Sequence, residues 1–94
     1  MRNEHFLKTE PVYFQKIWDG LKPFELRRND RDFQVGDTLI LKEFDRENQT
    51  YSGREIEADV LYILHEYADA IKEQYCIMSI KVISLHKNGV MLIP

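Results

Sequence analysis

The residue types that bind anions and exchange protons are concentrated in one short segment in the first third of the chain. Glu25 and Arg27 are two positions apart, so in a strand they share one face, while Phe24 and Leu26 share the other. We expect Phe24 and Leu26 to face the core, and Glu25 and Arg27 to line a polar cleft beside Lys22. Arginine offers a planar fork to phosphate or a base edge, lysine a point charge, and glutamate an acceptor for a base amino group. The segment is therefore predicted to bind a nucleotide or nucleic acid.

The charge pattern favours a local anion site over a general one. The 94 residues include 13 Lys and Arg and 16 Asp and Glu, a net charge of −3, which argues against coating nucleic acid by bulk charge. Residues 22–31 nevertheless contain four basic and two acidic residues, whereas residues 43–73 contain nine acidic and three basic ones. A basic patch on an acidic body is typical of a localised anion-binding site. The alternative is that both clusters are solvated faces.

A single helix is predicted immediately before this segment. Thr9 and Pro11 give a helix-start signal, and Gly20 gives a stop signal in the left-handed conformation. The apolar positions between them follow the i, i+3, i+4, i+7 spacing of one helix face: Phe14, Ile17, Trp18 and Leu21. We therefore predict a helix at about 11–19. Tyr13 falls off its apolar face and is a candidate for stacking on a base.

The rest of the chain has the alternation and turn signals of strands. The strongest pattern is at residues 55–64, where Ile56, Ala58, Val60, Tyr62 and Leu64 alternate with acidic residues. Further strands are predicted at residues 5–8, 24–27, 38–44, 50–54 and 75–85, with a helical turn near 68–71. The Asn88-Gly89 pair is a hairpin signal before a short apolar tail, which either folds back as a strand or pairs with a second copy.

These elements predict one α+β domain spanning residues 1–94, in which the fold of the tail 86–94 is left open. Its expected architecture is a small β-barrel of five or six mostly antiparallel strands with one main helix. A barrel would leave no exposed sheet edge.

No metal, cofactor or membrane is expected from the residue types. Cys76 is the only cysteine, and its place on an apolar strand face predicts a buried thiol. The three histidines have no metal-ligand spacing and are predicted to be packed or hydrogen-bonded side chains: His5, His65 and His86. No apolar run approaches the roughly 20 residues of a membrane-spanning helix, and the N-terminus is polar. We therefore expect a cytoplasmic protein.

The motif Gly20-x-Lys22-x-x-Glu25-x-Arg27 resembles the signature of the ASCH domain, a branch of the PUA-like folds, and carries it without a substitution. The resemblance covers about residues 4–83. Further stretches of the chain are similar to a small prokaryotic and phage subfamily. Those stretches are His5-x-Leu7-Lys8, Tyr13-Phe14, Asn29-Asp30-Arg31-x-Phe33-x-Val35-Gly36-Asp37, Leu39-x-Leu41-x-Glu43 and Tyr51-Ser52-Gly53-Arg54.

The resemblance implies a PUA-like barrel that binds RNA or a nucleotide in a cleft between the helix and the barrel. By carry-over from the motif, the main nucleic-acid-binding residues are Lys22, Glu25 and Arg27. The subfamily stretches add a second set of binding candidates: Lys8, Asn29, Asp30, Arg31 and Arg54.

Two alternative functions remain open at this point. One ASCH branch hydrolyses the acyl amide of acetylated cytidine with the motif lysine, a threonine hydroxyl and a later glutamate. Glu25 stands where that branch has its threonine, so Lys22 and Glu25 would be the reacting acid and base here. The other alternative is a protein-interaction module that uses its β surface. The apolar tail also makes a homodimer one of the expected partner states.

Overall fold

The computed structural model describes residues 2–93, which form one mixed β-sheet and one α-helix. The elements in chain order are β1 (Glu4–Thr9), α1 (Pro11–Trp18), β2 (Phe24–Arg28), β3 (Thr38–Asp45), β4 (Thr50–Leu64), β5 (Tyr75–Lys87) and β6 (Val90–Ile93). The strand order in the sheet is β1-β3-β4-β5-β2, and β6 is added beside β5. The β1–β3 pair is parallel and the other strand pairs are antiparallel.

The sheet curls into a half-barrel whose two edges are β1 and β2. The prediction of an α+β fold with five or six mostly antiparallel strands and one helix is therefore confirmed. Each strand that contributes to the core has alternating burial, because successive side chains of a strand point to opposite faces.

Helix α1 packs its apolar face onto the buried face of the sheet. Phe14 and Ile17 are fully buried within the core, and Trp18 is half-buried against it. Burial of such side chains contributes about 1.5–3 kcal/mol each. Gly20 adopts a φ of +80° just after the helix, as predicted. Leu21, predicted to share the buried face, is instead 72% exposed because the helix ends before it.

The start of α1 differs from the prediction in its capping residue. Glu10 occupies the N-cap position without a side-chain hydrogen bond, and Pro11 begins the helix. The Thr9 hydroxyl donates to the Leu7 carbonyl oxygen over 3.4 Å instead of capping the helix. Thr9 is the last residue of β1, and its side chain points into the interior beside β2.

Strand β2 faces the opposite way from the prediction. Glu25 is only 2% exposed, whereas Leu26 is 57% exposed and Phe24 42%. Glu25 pairs in register with Met78, which is also fully buried. Alternation shows that two faces differ but does not say which one is inward. The carboxylate can be the buried member here because two cations contact it.

A β-bulge in β4 changes which of its later residues are buried. Ile56, Ala58 and Val60 are buried as predicted, but the register with β5 shifts between Val60 and Tyr62. The extra residue moves the alternation by one position. Tyr62 and Leu64, predicted to share the apolar core face, are therefore exposed.

A second register shift between β4 and β5 has a similar effect on Val82. Val82 is 38% exposed, although Cys76, Met78 and Ile80 are buried on the predicted face. The register shifts between Glu57 and Ala58, opposite this part of β5. The connection before β5 also differs, since a turn closed by a Tyr67–Ile71 bridge replaces the predicted helical turn.

The apolar tail folds back as a strand of the same chain. The Asn88-Gly89 pair forms a hairpin turn, and β6 pairs with β5. Gly53 lies against this turn, where Asn88 donates its backbone N–H to the Gly53 carbonyl over 2.8 Å. A Cβ at Gly53 would collide with the Asn88 side chain, as expected of a close approach. Within residues 2–93, no helix has the length and apolar character needed to cross a bilayer.

Candidate functional site

A cleft of about 440 Å³ lies on the open side of the half-barrel, between the edge strands β1 and β2 and the start of α1. Its walls come from four separate parts of the chain, including the β3–β4 hairpin. The lining residues are Lys8, Thr9, Glu10, Tyr13, Lys22, Phe24, Glu25, Leu26, Arg27 and Arg46. Four of these side chains are basic and two are acidic, which leaves the cleft with a formal charge of +2.

The buried Glu25 carboxylate holds two cations of the cleft in place. Lys22 Nζ donates to Glu25 Oε1 over 2.9 Å, and Arg27 Nε donates to Glu25 Oε2 over 2.7 Å. The exposed fraction of the side chain is 3% for Glu25, 15% for Lys22 and 23% for Arg27. A buried carboxylate is costly unless it is paired and hydrogen-bonded, and here both oxygens are. The cluster of these three residues keeps one positive charge in excess, which favours an anionic ligand.

Arg27 also bridges the two edges of the half-barrel. Its Nη2 donates to the Thr9 hydroxyl over 3.0 Å, so a β2 side chain is tied to the end of β1. These bonds use two of the five N–H donors of the guanidinium, and donors remain for a ligand. Lys22 likewise uses two of its three donors, on Glu25 and on the Phe24 carbonyl oxygen.

Two aromatic rings flank the Lys22 ammonium at the mouth of the cleft. Lys22 Nζ lies 5.6 Å from the Tyr13 ring centre and 4.9 Å from the Phe24 ring centre. Both rings are exposed, 50% for Tyr13 and 42% for Phe24. Exposed rings next to cations are suited to stacking on a base whose phosphate contacts the cations.

The predicted binding residues divide into two groups. Lys22, Glu25 and Arg27 lie together, and Lys8 joins them in the lining with its Nζ 4.6 Å from the Phe44 ring centre. Residues at three other predicted positions lie outside the lining that the described residues form: Asn29, Asp30 and Arg31.

The segment at 29–31 has a mainly structural part in the fold. The Asn29 side chain accepts a hydrogen bond from the Phe33 backbone N–H over 2.9 Å, which closes the turn after β2. Arg31 Nη1 donates to the Phe6 carbonyl oxygen over 3.1 Å, which ties the turn to β1. Asp30 is exposed on the same turn.

Other elements bring further residues to the cleft, beyond those predicted. Thr9, Glu10 and Arg46 line it but were not predicted as site residues. Thr9 lies 18 positions from Arg27 in sequence, so no local pattern joins them. Their contribution depends on the parallel pairing of β1 with β3, which places the end of β1 beside the β3–β4 hairpin.

Arg54, another predicted binding residue, fastens α1 to the sheet. Its Nε and Nη2 donate to the two Glu43 oxygens, each over 2.9 Å, and Nη2 also donates to Gln15 over 2.7 Å. The guanidinium lies 4.6 Å from the Trp18 ring centre. The Arg54 hydrogen bond holds the pKa of the Glu43 carboxyl below its ordinary value.

We predict that the Arg54–Glu43 pair makes the stability of the folded protein fall as the pH is lowered into the acid range. A carboxyl whose pKa is lower in the folded state stabilises the fold above its unfolded pKa of about 4.3–4.5, and this contribution is lost as pH falls through the folded pKa. In urea unfolding between pH 7 and pH 3, Glu43→Gln should therefore be less stable than the wild type at neutral pH. The difference should shrink below about pH 4. A difference that stays constant down to pH 3 would contradict the assignment.

Of the remaining candidate side chains, His5 and Cys76 are packed in the interior. His86 is half-buried, with its Nε2 2.7 Å from the Ser84 hydroxyl. His65 is exposed, which contradicts its predicted packing. His5 is 8% exposed, with its Nε2 2.8 Å from Asp37 Oδ2 and its ring edge-on to Phe33. Cys76 is fully buried, and burial raises the pKa of its thiol, which disfavours the reactive thiolate. Among residues 2–93, no three His, Cys, Asp or Glu side chains are grouped so as to hold a metal ion.

Comparison with known proteins gives two matches to this chain, one to a family model and one to a phage protein. A family model described as a domain of unknown function, DUF3850, matches residues 4–80, which include every residue of the cleft lining. An uncharacterized 12.9 kDa protein in the GpA 3′ region of Escherichia phage P2 is 37% identical over 60 residues. That alignment covers 64% of this chain and 53% of the phage protein, so it spans about half of the relative's length.

Proposed function

We propose that this chain, which belongs to the DUF3850 family, binds RNA or a nucleotide in the cleft between β1, α1 and β2. The observation that carries the proposal is the arrangement of Lys22 and Arg27, which are held by the buried Glu25 and face a cleft with net positive charge. The resemblance of the same residues to the ASCH motif supports this choice of ligand.

The cleft suits a phosphate and a base at the same time. The spare donors of Lys22 and Arg27 can contact phosphate oxygens, while Tyr13 and Phe24 can stack on a base. The cations are already fixed by Glu25, so little side-chain entropy is lost when the ligand binds. Because few phosphates fit, we expect a shallow salt dependence, with a slope of about 0.7 for each phosphate of a single strand.

Binding fits the geometry better than acid–base catalysis by Glu25. Each Glu25 oxygen already accepts a hydrogen bond from a cation, so the carboxylate positions Lys22 and Arg27.

A second candidate function, hydrolysis of an acylated nucleoside, is favoured by the Thr9 hydroxyl. This hydroxyl lies in the cleft 3.0 Å from Arg27 Nη2. It could supply the threonine hydroxyl that the enzymatic ASCH branch carries at the position of Glu25. In such a reaction the oxygen of water would bond to the acyl carbon and the carbon–nitrogen bond would break. A proton from Lys22 would go to the leaving amine, and the attacking water would return a proton to Lys22, so that the products are the carboxylic acid and the free amine of the nucleoside.

An NMR titration at low salt tests both functions. We would add single-stranded RNA, duplex RNA, single-stranded DNA and free acetylated cytidine to separate samples of labelled protein. We expect amide shifts around Lys22, Glu25 and Arg27 with single-stranded RNA, and their loss in Lys22→Ala. Lys16→Ala is the matched control, because Lys16 is an exposed lysine of α1 outside the cleft lining.

The outcomes separate the candidates. Loss of the acetyl signal of acetylated cytidine over hours, abolished by Lys22→Ala, would favour the hydrolase. Equal shifts in Lys22→Ala and the wild type would contradict the cleft as the binding site. If none of the four ligands shifts any amide, both proposals fail, and the protein-interaction alternative becomes the one to test.

We further propose that the protein acts in the cytoplasm, where RNA is available to it. A homodimer remains a prediction. It rests on the exposed apolar residues of β6, of which Val90, Met91 and Leu92 are each more than half exposed. Sedimentation velocity would measure the oligomeric state directly.

A further inference from the structure

The outer face of the sheet carries an exposed apolar surface beside the cleft. Register places two rows of side chains across β2, β5 and β4, on the face opposite the buried Glu25, Met78 and Ile63. The first row is Phe24, Ser79 and Tyr62, and the second is Leu26, Ile77 and Leu64. We call these six residues the outer apolar face.

This surface is large for a chain of this size. Tyr62 is 62% exposed, Leu26 57%, Phe24 42% and Leu64 41%. Taking about 200 Å² for each fully exposed side chain, these four expose roughly 400 Å², which is in the range of the largest, often functional, patches of monomers. A stable protein–protein interface needs about 800 Å² on each partner. More than half of such an interface is apolar, so this area alone does not separate a second protein from another ligand. The choice of RNA rests on the continuity of the surface with the cleft and its cations.

The outer apolar face is continuous with the cleft. Phe24 and Leu26 belong to the edge strand β2 and line both. A cation lies near an aromatic ring at each end of the region: Lys22 Nζ is 4.9 Å from the Phe24 ring centre, and the Arg28 guanidinium is 5.9 Å from the Tyr75 ring centre. A ligand that leaves the cleft across β2 would meet rings and aliphatic side chains, with Lys22 at the cleft end and Arg28 at the far end. Beyond Arg28, Glu66 and Glu73 share a small pocket with Tyr75, so the favourable charge for an anionic chain lies on the cleft side.

We propose that the outer apolar face stacks the bases of a single-stranded RNA whose phosphate is held in the cleft. This inference rests on the proposed function and extends it to a ligand of several nucleotides. Phe24 and Tyr62 are separated by β5, so their backbones lie about 10 Å apart. That distance exceeds the roughly 3.4 Å spacing of stacked bases, so two bases on these rings must be splayed apart. Only an unpaired strand can splay its bases in this way.

The test compares an octauridine RNA with uridine monophosphate by fluorescence anisotropy and NMR. Tyr62 lies outside the cleft lining and is exposed, so Tyr62→Ala should fold normally. We expect Tyr62→Ala to weaken octauridine binding about 5- to 150-fold, the effect of one lost base stack. Binding of uridine monophosphate in the cleft should stay unchanged. Tyr62→Phe should keep the affinity, as should Met91→Ala, which removes an equally apolar exposed side chain on β6.

The result also separates this inference from the proposed function. If Tyr62→Ala binds octauridine like the wild type while Lys22→Ala does not, the outer apolar face is not part of the RNA site, and the cleft proposal stands. If Lys22→Ala also binds normally, or the wild type binds neither ligand, the proposed function fails and this inference with it. A dimer in sedimentation that Tyr62→Ala abolishes, without an effect on octauridine, would make the face a protein interface and overturn the inference.

Discussion

Replacement of Asp37 by alanine is expected to lower the free energy of unfolding by about 3 kcal/mol or more, because three hydrogen bonds to its carboxylate are lost. Asp37 is only 1% exposed. Its Oδ1 accepts the Asn3 N–H over 3.1 Å, its Oδ2 accepts the Gln34 N–H over 2.9 Å, and Oδ2 lies 2.8 Å from His5 Nε2. Alanine would leave the buried His5 ring and two partly buried backbone amides without this acceptor.

The electrostatics of Asp37 support the same expectation. Burial alone would raise its pKa, but the hydrogen bonds from His5 and from the Gln34 and Asn3 amides outweigh burial and hold the pKa below its ordinary value. The ionised form is therefore the one that stabilises the start of β1 against β3.

Urea unfolding at pH 7 would measure this effect, with Asp59→Ala as the matched control. Asp59 is a carboxylate of the same sheet that pairs with Arg2 over 2.6 Å, but its side chain is 29% exposed. Exposed ion pairs contribute about 0–1 kcal/mol, so the control should lose far less. Equal losses of stability in the two variants would show that the buried Asp37 carboxylate contributes no more to the free energy of unfolding than an exposed ion pair does.

The elements of this fold that are set by local patterns could be predicted from the sequence. Helix α1 follows from the spacing of Phe14, Ile17 and Trp18, and its end follows from Gly20. The Asn88-Gly89 turn likewise predicts the β5–β6 hairpin. In each case the signal and the structure it specifies lie within a few residues of each other, so no tertiary contact is needed to read it.

The sequence could not predict which face of β2 is buried, because the buried face depends on partners from elsewhere in the fold. An alternating strand with Phe24 and Leu26 on one face is normally buried on that face. Here β2 is an edge strand whose buried side closes the half-barrel, and Glu25 fits there because Lys22 and Arg27 neutralise it. The bulge before Tyr62 could not be predicted from the sequence either, since it depends on the pairing of β4 with β5.

The candidate site was predictable only where its residues are neighbours in sequence. Lys22, Glu25 and Arg27 lie within six positions and come together in the cleft. Arg54 carries the same chemical groups as Arg27, but its partners are Glu43 and Gln15, which are 11 and 39 positions away. Residue type alone cannot separate an arginine that fastens a helix from one that faces a ligand, because the difference lies in tertiary contacts.

Substitution of Arg27 by lysine is expected to weaken RNA binding about tenfold or more, although the charge of the cleft does not change; this corresponds to the loss of one or two hydrogen bonds to a charged group. The Arg27 guanidinium donates to Glu25 through Nε and to Thr9 through Nη2, while its remaining donors can face the ligand. A lysine ammonium is a single point on a flexible stem and cannot hold this fork geometry.

The salt dependence of binding distinguishes lost geometry from lost charge. Arg27→Lys should lower the affinity at every salt concentration with an unchanged slope, whereas Arg27→Ala should also reduce the slope by about 0.7. Arg46→Lys is the matched control, because Arg46 lines the same cleft but its side chain is 77% exposed and its pair with Glu10 is long, at 3.7 Å. Full affinity in Arg27→Lys would mean that Arg27 acts only through its charge. The bridge from β2 to Thr9 would then serve the closure of the half-barrel alone, and faster amide exchange along β2 in this variant would report its loss.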